Sequence, residues 1–145
     1  MKKTTRKASL VPYQKRIEKP WGYEVIYTSD QDPITGKFLH VKAGKRLSLQ
    51  YHDGKEEALC LVKGKAFITL SDANKIIHEI PMELLKGYFI TKGQIHRITA
   101  KTNCDIIESS TPEKGNTFRI EDDAGRKTET ETMRKKKNRG WECQK

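Results

Sequence analysis

The chain predicts an all-β fold, a sandwich or small closed barrel, on three observations. Short segments of alternating polar and apolar residues, rich in β-branched and aromatic types, fill its middle. They recur at roughly ten-residue spacing, the rhythm of antiparallel sheets joined by tight turns. Gly and Asp stand at the joints.

Residues 22–29 (GYEVIYTS) and 37–43 (KFLHVKA) open the series with strand-type alternation. Residues 46–52 (RLSLQYH), 58–62 (ALCLV) and 65–70 (KAFITL) follow, the first two parted by the turn pair Asp53-Gly54. Residues 76–80, 87–91, 96–100 and 104–109 complete the set, and 81–86 (PMELLK) reads as a loop and short strand rather than a helical turn. After Arg126 the chain is polar, with few residues to bury, and predicts a frayed charged helix or disorder.

A length of 145 residues suits one domain. The net charge of +10 is unevenly placed. Residues 1–19 carry seven Lys/Arg and one acid, residues 127–145 seven and three, and residues 20–126 fifteen of each sign. The expected organisation is a basic tail (1–17), a neutral domain (18–126) and a second basic tail (127–145), both tails mobile or peripheral. Basicity confined to the tails leaves nucleic acid an unexpected partner except through them. Cys60, Cys104 and Cys143 are odd in number and fit neither a zinc knuckle nor a disulfide framework. Cys60 in its apolar run is expected as a buried thiol, and a reducing cytoplasm suits the set. No apolar run is long enough for a signal peptide or a membrane span.

The chemistry concentrates at residues 44–64. In a strand, residues two apart share a face, so Gln50 and His52 project together with Arg46 and Ser48 in line behind them. A hairpin at Asp53-Gly54 would return Glu57 beside His52. Amide oxygen, imidazole and carboxylate suit zinc, manganese or iron, and His96 is the candidate fourth ligand. Leu47, Leu49 and Tyr51 fall on the opposite face, where another sheet or subunit would cover them.

This pattern resembles a family. Gly44, Gln50, His52, Glu57 and Gly64 are spaced like the first cupin motif, with glutamine in place of its first histidine. Gly87, Gly93 and His96 resemble the second motif, Thr91 standing where proline is usual. The strings RLSLQYH (46–52), KPWGYEVI (19–26), IIES (106–109) and RIEDDAGR (119–126) are similar to type II mannose-6-phosphate isomerases. Two departures are Ala124, where an aromatic is common, and KGNTF (114–118), which lacks an acidic pair before Arg119. The resemblance implies a cupin-type double-stranded β-helix, or jelly-roll, barrel. It implies one divalent metal at Gln50, His52, Glu57 and His96, zinc foremost, with manganese, iron, nickel or cobalt as alternatives. It also implies aldose–ketose isomerisation of mannose 6-phosphate and fructose 6-phosphate, with Arg119 catalytic and Arg46, Ser48 and Arg126 binding substrate. The expected partners are a sugar phosphate or related carbohydrate and a second copy in a homodimer, with no membrane. A non-catalytic metal- or sugar-binding cupin and a metal-dependent oxygenase are the alternative readings.

Overall fold

The computed structural model describes residues 7–141. Eleven strands form two antiparallel sheets among them. One sheet orders β1 (Lys15–Lys19), β2 (Gly22–Ile26), β3 (Thr35–Val41), β10 (Cys104–Ser110), β5 (Glu57–Lys63) and β8 (Gly87–Ile90). The other orders β11 (Thr117–Glu121), β4 (Leu49–His52), β9 (His96–Ala100), β6 (Ala66–Ser71) and β7 (Ile77–Pro81). This is the jelly-roll barrel of the cupin type. All nine sequence-predicted strands are present. The two added ones, β1 and β11, read KRIEK and TFRIE, too charged to register as strands. Pro81 ends β7 and residues 82–86 form a loop, without the expected short strand.

The interior is polarised along the barrel axis, and strand parity builds the gradient. On β5, Glu57, Leu59 and Leu61 alternate inward. Its neighbour β10 runs back with Glu108, Ile106 and Cys104 inward, and β3 aligns Lys37, Leu39 and Val41 with those three. On β9, His96 precedes Ile98 and Ala100. Each inward row starts with a polar group at one end and continues into the apolar core of Leu39, Val41, Leu61, Ile68, Ile98 and Ile106. Burial of such side chains stabilises by roughly 1.5–3 kcal/mol each.

Gly64 closes the turn after β5 at φ +89°, a left-handed conformation that glycine adopts freely. A Cβ there would lie 2.3 Å from the Asn103 carbonyl oxygen. The motif glycine is thus a requirement of backbone approach.

The structure corrects several expectations. Asp53-Gly54 makes no hairpin: β4 pairs with β9 and β11, whereas β5 pairs with β10 and β8 in the other sheet. His52 and Glu57 therefore meet across the barrel. The run 46–52 is not one continuous strand either. Arg46 bridges Thr99 and Gln50 pairs with His96, so four steps along one side span three on the other. That extra residue is a bulge, and it reverses side-chain parity between Arg46 and Gln50. Leu47 consequently packs on the core, and Tyr51 stacks on Phe118 at 4.8 Å within the chain. The exposed apolar side chains lie elsewhere: Ile77 and Ile80 on edge strand β7, Leu84 and Leu85 in the next loop, and Phe89 on edge strand β8.

The expected tails also change. Strand β1 brings Ile17 and Lys19 into the interior. Beyond Arg126, Glu129 bridges Thr117, a short helix α1 (Glu131–Arg134) follows, and a 3-10 turn spans Arg139–Trp141. Glu129 and Arg139 are buried. This charged segment packs because its charges are paired inside the barrel, where a sequence reader assigns them to water. Cys104 is the buried thiol and Cys60 is half-buried; Cys143 lies outside the described residues. Among the described residues, no helix is long and apolar enough to cross a membrane.

Candidate metal centre

His52 ends β4, Glu57 begins β5 and His96 begins β9. Their ligand-type atoms lie within 4.8 Å of one another, and all three residues are buried. Glu57 Oε1 stands 2.9 Å from His96 Nε2 and 3.5 Å from His52 Nε2.

The opposite ring nitrogens are fixed. His96 Nδ1 faces the Gln94 carbonyl oxygen at 2.9 Å and donates to it, which turns Nε2 toward Glu57. His52 Nδ1 is 3.0 Å from Thr117 Oγ1. Both Nε2 atoms are buried and make no directed hydrogen bond among the described residues. Two buried imidazole nitrogens without a hydrogen-bond partner beside a carboxylate oxygen make a donor set that fits a metal. Burial lowers the His52 pKa to about 4, keeping its imidazole neutral and ready to coordinate. Against its burial, the Lys55 ammonium holds the Glu57 carboxyl well below its ordinary value. The Gly93 amide, at φ +78°, donates to the His52 carbonyl at 2.7 Å and ties the β8–β9 loop to the site.

Beside this trio lies a cavity of about 60 Å³ lined by Ser48, Gln50 and His52 and by charge. The Ser48 hydroxyl donates to Gln50 Oε1 at 2.5 Å. Six cationic side chains and four carboxylates line the rest, Arg119 and Arg126 among the cations. Lys55 bridges Glu57 at 3.0 Å and Glu108 at 3.3 Å. Burial, reinforced by Glu57, raises the Glu108 pKa to about 7. Buried charge is costly unless it is paired, and such clusters concentrate at functional sites.

Three of the four expected ligands thus converge, and Gln50 lines the adjoining wall. Ser48, Arg119 and Arg126 also line the cavity, Arg126 already paired with Asp122 at 2.8 Å. Arg46 does not. The bulge turns it outward, where its guanidinium binds Asp123 and Glu121, each at 2.7 Å. Sequence reasoning missed Lys19, Glu24, Lys37, Lys55, Glu108 and Arg139 as cavity residues. Parity was the available signal for some: Lys37 shares its face with Leu39, and Glu108 with Ile106.

Comparison with known proteins gives concordant findings. Residues 6–128 match the family model described as mannose-6-phosphate isomerase C-terminal. A mannose-1-phosphate guanylyltransferase of Sinorhizobium fredii is 31% identical over 107 residues, which are 72% of this chain and 20% of that protein. The capsular polysaccharide assembling protein CapF from Staphylococcus aureus superposes with a TM-score of 0.65 at 20% identity, covering 78% of this chain and 33% of its own. Oxalate decarboxylase from Bacillus subtilis gives 0.67 at 15% identity, over 80% and 33%. The chain thus spans about a fifth of the guanylyltransferase and a third of each solved structure, and these two structures bear on its fold.

Proposed function

The chain belongs to the mannose-6-phosphate isomerase C-terminal family, and from that premise we propose that it is a metal-dependent sugar-phosphate isomerase. Its reaction is aldose–ketose interconversion of the mannose 6-phosphate/fructose 6-phosphate type. The supporting observation is the convergence of His52, Glu57 and His96 beside a cavity rich in buried cations.

Isomerisation moves a proton between C1 and C2 and develops negative charge on oxygen. His52, Glu57 and His96, with Gln50 beside them, would hold one divalent ion, which supplies Lewis acidity toward substrate oxygens. Zinc leads by donor type, and manganese gains support from the Mn(II) centres named for oxalate decarboxylase. Glu108 is the carboxylate we assign to proton transfer, because it lines the same cavity and titrates near neutrality. Lys55 holds Glu57 ionised, and Arg119 balances charge on the substrate. Ser48 and Arg126 line the substrate space. Arg46, engaged outside the cavity, has no part in it.

A coupled assay of the metal-loaded protein on mannose 6-phosphate and related sugar phosphates tests this reading. Arg119→Ala should leave metal content unchanged and lower turnover at least about tenfold, a loss of roughly 1.4 kcal/mol of transition-state stabilisation. Arg119→Lys should restore only part, since an ammonium lacks the planar fork. If the folded, metal-bound protein turns over none of these sugars, it is a metal- or carbohydrate-binding domain instead.

The proposed setting is the cytoplasm, which suits the free thiols Cys60 and Cys104. The proposed assembly is a homodimer that covers the exposed apolar side chains of β7 and β8, since an open apolar edge calls for cover. Sedimentation should give a dimer that Phe89→Glu and Ile80→Glu together dissociate. A wild-type monomer at high concentration would rule it out.

A further inference from the structure

We propose that Arg139, beyond the family-matching residues, joins Arg119 and Arg126 in an oxyanion pocket that receives the phosphate of a sugar phosphate. The sugar rests on the isomerase reading; the anion follows from the chain's own charges.

Arg139 is brought inward by close docking of the last described turn. The chain at Gly140 lies so near β1 that a Cβ there would stand 2.1 Å from the Glu18 carbonyl oxygen. Arg126 Nη1 donates to the Gly140 carbonyl at 3.4 Å. Arg139 Nη2 donates to Glu129 Oε1 at 3.1 Å, and Arg119 Nη2 stands 3.8 Å from Oε2 of the same carboxylate. Three guanidiniums thus gather at one wall of the cavity.

Two of them are incompletely satisfied. Arg119 and Arg139 side chains are each 5% exposed. Among the described residues the Nε of each has no hydrogen-bond partner, and neither have Glu129 Oε2 and Glu24 Oε1 on the same cavity. Leaving a buried donor unpaired is destabilising, whereas Arg126 directs its Nε to Asp122. Burial and the nearby Arg126 lower the Arg119 pKa to about 10, whereas Glu113, Glu129 and Glu24 raise that of Arg139 against its burial. Across the cavity, cations outnumber carboxylates six to four.

Size and shape agree. One water needs about 10–15 Å³ on this scale, so about 60 Å³ accommodates a tetrahedral oxyanion. Guanidinium forks match phosphate oxygens pairwise, which ammonium groups do not. Glu129 and Arg139 follow the matched residues 6–128, whereas Arg119 and Arg126 lie within them.

Calorimetric titration of the as-isolated protein with inorganic phosphate, and separately with mannose 6-phosphate, tests the pocket. Phosphate should bind, and Arg139→Gln should weaken it at least tenfold. Bound phosphate should slow amide hydrogen exchange over residues 129–141 of the wild type. Wild-type affinity in folded Arg139→Gln, or protection confined to other segments, would overturn the proposal. Should Arg139→Gln fail to fold, the wild-type exchange pattern decides. Phosphate held through Arg139 without sugar turnover would remove the isomerase reading alone. Turnover with phosphate affinity indifferent to Arg139 would remove the pocket alone.

Discussion

Replacing Glu108 by glutamine is expected to cut sugar-phosphate turnover by roughly 10²–10⁴-fold, the range that one positioned acid–base group supplies. Metal content should stay constant, because Glu108 stands behind Lys55 and outside the His–Glu–His trio. The pH dependence provides a second readout. Burial first, and then the Glu57 carboxylate, places the Glu108 pKa near 7. A base works only when ionised, so kcat/KM of the wild type should climb as pH rises through about 7 and level above it. The glutamine variant should lose that inflection. Undiminished turnover, or an unchanged inflection, would remove Glu108 from the reaction.

Loss of the metal should be the largest effect on stability. A metal that binds only the folded chain stabilises it by about 4 kcal/mol when its concentration is a thousandfold above Kd. For a domain of this size, that corresponds to roughly 10 °C in Tm. His52→Ala removes one donor of a buried trio, so the purified variant should lack metal and melt lower by about that amount. A chelator should reproduce the shift in the wild type and leave His52→Ala unmoved. Full metal content in His52→Ala would show that the ion is held elsewhere.

Local rules made much of this site legible. Gln50 and His52 share a face because the strand is regular from Leu49 onward, and His96 opens a strand that pairs directly with Gln50. The same rule failed one step upstream. A bulge between Arg46 and Gln50 is set by pairing with β9, so the parity that placed Arg46 inward had no local warning. The turn after His52 misled for a related reason: Asp-Gly signals a change of direction but says nothing about which sheet the next strand joins. Glu108, Lys37 and Arg139 were hidden by chemistry. A charged residue is read as solvated unless its partner is known, and Glu108 meets Lys55 from 53 positions away. Arg139 meets Glu113 from 26.

The division between inner and outer charge governs what dissolved salt does to this molecule. The Debye length falls to about 3 Å at 1 M, so ions in solution screen the exposed Arg46 cluster and the excess positive charge of the termini. The pairs at Lys55, Glu24 and Glu129 lie behind protein, beyond the reach of mobile counterions. Polyanions adhering to the basic ends will therefore wash away at ionic strengths that leave the interior lattice of charges untouched.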